Sequence, residues 1–209
     1  MSRIFLLSPA DCRGRRAQQM LSPRSTHALA TALRSRRGAP LGDLFSFISA
    51  LYFRGKLTYA RRFAQPPDPA DPHGGAGVHV ITPIAGLRTP DTLVTRAAFL
   101  AFAAGAVDAD NPLYTTPLVA SARAVRAAVG PDCEAVLLGS IASPKYVDVL
   151  IEVFGDRLTF PLAFVGRGDM SRGGLLLRQA SEGAELEYGP VIGAMRHGQR
   201  PPKLPPLRR

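Results

Sequence analysis

Four short stretches of small, hydroxyl-bearing and basic residues hold most of the side chains in this sequence that could do chemistry. They are Ser8-Pro9-Ala10-Asp11-Cys12-Arg13-Gly14, Pro83-Ile84-Ala85-Gly86-Leu87-Arg88, Gly139-Ser140-Ile141-Ala142-Ser143-Pro144-Lys145-Tyr146 and Gly166-Arg167-Gly168-Asp169-Met170-Ser171-Arg172-Gly173-Gly174. Each follows an apolar run of strand type. Backbone N–H groups in Gly/Ser loops at helix starts are natural anion sites. Arg167 and Arg172 are of the type that grips a phosphate with two parallel hydrogen bonds. The competing reading is that Gly and Ser only make tight turns. It suits any one of these loops, whereas four together, with glycines beside two arginines, favour a site. The expected phosphate contacts are therefore Arg13, Arg15, Arg16, Arg167 and Arg172. Ser8, Gly86, Ser143, Lys145, Tyr146 and Gly168 are the expected pocket residues.

Three further side chains are candidates for catalysis. Cys12 is followed by Arg13, Arg15 and Arg16, neighbours that lower a thiol pKa. No histidine has a sequence reason to sit beside it as a base, so a small buried residue is the preferred reading. Asp11 and Asp169 both fall in candidate loops and could form an acid/base pair, although Asp in such places more often caps a helix or shapes a turn. Cys133, behind Gly130-Pro131, reads as inert. The four histidines and two cysteines show no metal-ligand spacing, and neither a metal nor a cofactor is expected.

The elements that must position these loops are strands alternating with helices. Arg3–Leu7, Val78–Thr82, Ala135–Leu138 and Leu158–Val165 are short unbroken apolar runs, the pattern of strands buried on both faces. Helical periodicity covers 15–21, then 27–36 with Thr26 as cap, 41–64, 118–129 and 145–154, with Pro144 at a first helical position. The longest of these, 41–64, places Leu44, Ile48, Leu51, Tyr52, Tyr59 and Phe63 on one stripe and Arg54, Arg61 and Arg62 opposite. Tyr52 and Tyr59 with Arg54, Lys56 and Arg61 form a basic-aromatic mixture that could stack on bases; the plainer reading makes the tyrosines core residues. The alternation argues for an α/β fold, a mostly parallel central sheet flanked by helices. In such sheets ligands gather beyond the carboxyl ends of the strands, where all four loops should converge. Residues 1–195 read as a single α/β domain, with 66–77 an exposed Pro/Gly loop, and 196–209 as a basic, Pro-rich tail forming an extended arm.

Composition narrows the partner. The 209 residues include 26 basic and 16 acidic side chains, a net charge of +10. The excess is uneven: residues 1–62 hold twelve basic and two acidic residues, 63–195 nine and fourteen, and 196–209 five and none. Of the basic residues 23 are Arg, which a GC-rich genome would explain, but such drift does not explain the clustering. DNA or another phosphate-rich ligand is the expected partner. The longest uncharged apolar stretch, Ala97 to Val107, is too short for a membrane span. The opening Ile4–Leu7 burst does not read as a signal peptide. Two cysteines cannot build a disulfide framework, which points to a cytoplasmic protein.

The loops, taken in order, resemble the motifs of the bacterial peroxide-stress resistance proteins of the YaaA type. Leu7-Ser8-Pro9-Ala10 follows the first strand. Phe53-Arg54-Gly55 with Tyr59, Gly86-Leu87-Arg88-Thr89-Pro90-Asp91, Ala142-Ser143-Pro144-Lys145-Tyr146 and Arg167-Gly168-Asp169-Met170-Ser171-Arg172 come after it. The likeness covers about residues 3–178 and is that of a divergent member or close relative: Asp11 stands where the family has Lys, and Lys145 where it has an acidic residue. The resemblance implies a uracil-DNA-glycosylase-like core, DNA binding and protection of DNA during oxidative stress. A cytoplasmic DNA-binding protein of the peroxide response is the leading expectation. The alternative is a nucleotide- or nucleobase-acting enzyme, a glycosidase or transferase, with Asp11 or Asp169 as acid/base and Gly166–Gly174 as phosphate cradle. A third reading is an interaction protein working through its tail.

Overall fold

The computed structural model describes residues 2–202 and 204. A six-stranded sheet forms its centre, in the order β4-β3-β1-β6-β7-β8. β1 (Arg3–Leu7), β3 (Val78–Thr82), β6 (Glu134–Leu138) and β7 (Leu158–Pro161) run parallel, while β4 (Gly86–Arg88) and β8 (Tyr188–Pro190) are antiparallel edges. β1 lies between β3 and β6, with Phe5 opposite Val78 on one side and Val136 on the other. Ile4 to Leu7 are wholly buried, so both faces of β1 are covered, as an unbroken apolar strand requires. A separate two-stranded ribbon pairs β2 (Ala39–Pro40) with β5 (Leu93–Val94). The α/β fold with a mostly parallel sheet is therefore as expected.

The helices are α1 (Arg15–Leu21), α2 (Ala28–Arg34), α3 (Leu41–Ile48), α4 (Ala50–Phe63), α5 (Arg96–Ala104), α6 (Pro112–Val129), α7 (Pro144–Phe154) and α8 (Asp169–Glu182). Pro144 takes the first position of α7 and Ser143 caps it, accepting a bond from the Lys145 N–H. Four expectations are corrected. His27, not Thr26, caps α2, its Nδ1 accepting from the Leu29 N–H at 3.2 Å. The helix over 41–64 is two helices, broken where Ala50 takes φ 48°. β7 stops at Pro161, which cannot donate to a ladder, and Leu162–Phe164 forms a 3-10 turn. The stretch 169–174, read as loop, is the first part of α8.

Glycine explains that last case. A Cβ on Gly55 would lie 2.6 Å from the Gly173 carbonyl oxygen, and one on Gly173 would lie 2.8 Å from the Leu51 carbonyl oxygen and the Tyr52 Cα. The two glycines let the backbones of α4 and α8 touch, and these helices make the largest contact between any two elements. Segment 66–77 is mostly exposed. The described part of the tail has no regular structure and turns back on the body: a Cβ on Gly166 would strike the Gln199 carbonyl. Lys203 and residues 205–209 of the expected arm lie outside the described residues. No described helix is long and apolar enough to cross a membrane.

Candidate functional site

Beyond the carboxyl end of β1 the chain leaves a cavity of about 490 Å³, a volume that suits a nucleotide-sized ligand. Its wall is built from the loops the sequence singles out. Ser8 to Arg13 come from the end of β1, Pro83 from the end of β3, and Ser140, Ser143, Lys145 and Tyr146 from the β6–α7 connection. Tyr52 of α4, Phe102 of α5 and Asp169 of α8 complete it. Three of the four strand-end loops thus converge directly, and the fourth contributes through Asp169.

The floor is the most constrained part. Lys56 of α4 is 1% exposed. Its Nζ donates to the Ser8 carbonyl at 2.7 Å and lies 2.8 Å from Ser8 Oγ. It also stands over the rings of Tyr52 and Phe53, at 4.5 and 5.0 Å from their centroids. Burial drives the Lys56 ammonium down to about 7; Asp169 acts against this shift and Arg172 with it. On the other side of Ser8 stands Tyr146, whose hydroxyl accepts from the Ser140 N–H and donates to the Ser140 carbonyl, both at 3.0 Å. Burial pushes that phenol up, against the Ser140 backbone and the Ser8 hydroxyl, which lower it. A Cβ on Gly139 would lie 2.9 Å from both Ser8 Cβ and the Tyr146 hydroxyl, so glycine is what allows this approach. The Tyr52 hydroxyl is buried on the cavity wall, where desolvation pushes its pKa up and Arg172 is the neighbour that pulls it back.

The rim is exposed and more loosely held. Asp11 Oδ1 accepts from the Arg13 N–H at 2.9 Å and so shapes a turn. Asp169 lies 3.6 Å from Arg172 across one turn of α8. Both carboxylates face the same cavity, but each is already engaged. Arg13 lines the rim, while Arg15 and Arg16 are exposed on α1. Cys12 lines the cavity yet is buried, and the expected effect of its arginines is not what governs it. Burial, then Asp11, push the thiol up to about 12, and Arg13 opposes them as the smallest influence.

Several expected residues fall elsewhere. Arg172 gives Nε and Nη2 to the Phe164 carbonyl at 3.2 and 3.1 Å, which turns it into a brace for α8. Arg167 binds the Ala163 carbonyl and Ser171 Oγ, and with Gly168 it lines a second cavity against the tail. These two arginines therefore do not form one phosphate clamp. Gly86, at φ 69°, packs on the Pro117 carbonyl of α6 at the β3–β4 turn and does not line the main cavity. Tyr59 is a core tyrosine whose hydroxyl pairs with Tyr188 and accepts from the Leu186 N–H. Among the described residues no cluster could hold a metal ion.

Lys56 is the residue that sequence reasoning placed wrongly, grouping it with Arg54 and Arg61 as a basic-aromatic surface. The signal was present in its spacing: four residues after Tyr52 and three before Tyr59, it lies on the apolar stripe and not on the arginine face.

Comparison with protein-family models, curated proteins and solved structures gave no match to this chain.

Proposed function

We propose that the protein is an enzyme acting on a nucleotide or nucleobase compound held in the cavity at the end of β1. The observation that carries this is the cavity floor, where a fully buried lysine is bonded to a serine that faces the ligand space. Burying an amine without a carboxylate in contact is expensive for a binding surface, and perturbed groups in a cleft mark chemistry. Tyr52 offers a hydroxyl for a polar edge, Phe102 and Tyr146 offer ring surface, and Arg13 and Lys145 place positive charge where a phosphate would enter. The uracil-DNA-glycosylase-like core implied by the motif resemblance fits a sheet that presents its site at strand ends, and the two free cysteines fit a cytoplasmic setting.

The test is ligand-dependent stabilisation. At a hundredfold excess over Kd a nucleoside monophosphate adds about 2.7 kcal/mol, which raises Tm by roughly 5–11 °C in a domain of this size. The matching nucleoside and ribose 5-phosphate should each give less. No shift with any purine or pyrimidine monophosphate overturns the reading.

A second reading, DNA binding in the peroxide-stress response, is favoured by the exposed Arg13, Arg15 and Arg16 beside the cavity mouth. It predicts duplex or single-stranded DNA binding whose log affinity falls with log salt at a slope near −4 to −5 for ~5 neutralised phosphates. A flat salt response removes it.

A further inference from the structure

We infer that Ser8 and Lys56 form a nucleophile–base pair, and that the cavity performs phosphoryl transfer on a phosphate ester through a covalent intermediate on Ser8. The substrate class rests on the nucleotide reading above; the pair itself rests on geometry. Ser8 Oγ lies 2.8 Å from Lys56 Nζ, hydrogen-bond distance for passing a proton from hydroxyl to amine. The Ser8 carbonyl, 2.7 Å from the same nitrogen, takes one N–H, which leaves the lone pair of the neutral amine free to face Oγ. Ser8 lines the cavity and Lys56 does not, so of the two it is the serine that adjoins the substrate space. Arg13 and Lys145 line the same space, where they can offset charge on the non-bridging oxygens.

In the step, Ser8 Oγ attacks phosphorus and its proton passes to Lys56 Nζ. The bond from phosphorus to the leaving oxygen breaks, and that oxygen takes the proton back from Lys56. Water, deprotonated by the neutral Lys56, then attacks the phosphoserine. Its oxygen joins phosphorus and the Ser8 oxygen leaves with the proton. No oxidant or further co-reactant is needed. The groups facing Lys56 are Tyr52 on its own helix, Asp169 and Arg172 from α8, and Ser8 from the end of β1, with Tyr146 of α7 beside Ser8. Among these Asp169 favours the ammonium and Arg172 the amine.

The experiment is labelling of the full chain with diisopropyl fluorophosphate, followed by intact mass and peptide mapping. The probe loses fluoride as Ser8 Oγ joins phosphorus, so it reports the pair without requiring that a nucleotide bind. The expected result is one adduct on Ser8, formed about tenfold faster at pH 8 than at pH 6 as the amine loses its proton. Lys56→Met should slow labelling by about 100-fold with an unchanged circular-dichroism spectrum. Absence of a Ser8 adduct on folded wild-type protein overturns the proposal, as does a rate independent of pH between 6 and 8. Should Lys56→Met not fold, the wild-type pH profile decides alone. Labelling of Ser8 with no stabilisation by nucleotides would keep the pair and discard the nucleotide reading; the reverse result would do the opposite.

Discussion

β1 has a buried or nearly buried cation at each end, and the two are treated in opposite ways. At the start of the strand Arg3 gives Nε to Glu134 at 2.6 Å and Nη1 to Glu185, and its side chain is 15% exposed. Desolvation would lower the Arg3 pKa, but both carboxylates outweigh it, so the guanidinium is held up. At the far end Lys56 is more deeply buried, and what its nitrogen touches is a carbonyl, a hydroxyl and two ring faces. The first end spends its charge on holding β1, β6 and the 185–188 segment together. The second keeps an amine close to neutrality beside a hydroxyl. Pairing holds one end of the strand together, and withholding the pair leaves at the other an amine that titrates at about 7.

The largest effect should come from separating the helices that bury Lys56. Gly173→Val drives side-chain atoms into the Leu51 carbonyl and Tyr52 Cα. It should cost ~3 kcal/mol in denaturant unfolding and expose the amine. At the other end, Glu134→Ala leaves Arg3 with Glu185 alone. It should cost ~2 kcal/mol without changing labelling of Ser8, and a change there would mean that the two ends are not independent.

Lys56→Met should stabilise the fold by ~2 kcal/mol at pH 7 while slowing labelling of Ser8, the trade-off that the proposed pair requires. Its effect must also depend on pH. The native amine titrates at about 7 and the unfolded one at 10.5, so the unfolded chain binds the extra proton between these values. Wild-type stability therefore rises with pH across that window, and the advantage of Lys56→Met shrinks as pH goes from 7 towards 10. A constant difference would mean that Lys56 is charged in the fold. The smallest effect on stability belongs to the rim: Arg13→Ala, Arg15→Ala and Arg16→Ala together should change it by under ~0.5 kcal/mol. If DNA binds, the same triple variant should flatten the salt slope by ~3.

The parallel core was legible because β1, β3 and β6 are unbroken apolar runs between turn residues. The convergence of their loops followed from that topology. The break at Ala50 was not legible, since neither Gly nor Pro marks it. α8 was hidden by Gly173 and Gly174, which read as a loop until helix contact supplies a reason for them. Arg167 and Arg172 looked like ligand contacts because side-chain type says nothing about which carbonyl lies within reach. Lys56 read as one of a surface group with Arg54 and Arg61 because a lysine on an apolar stripe gives no sequence sign of the carbonyl that receives it.

The left-handed turn at Ala50 sets the aim of α4. At φ 48° an alanine holds about 1 kcal/mol of steric strain. That strain redirects the chain at the first residue of the helix, and every side chain downstream inherits the new bearing. Tyr52 reaches the cavity wall and Lys56 its floor along this second axis; a straight continuation of α3 would send them elsewhere. Glycine there would relax the strain but loosen the bearing, so the alanine works as a fixed elbow, and the contact between Lys56 and Ser8 is set by a kink six residues away.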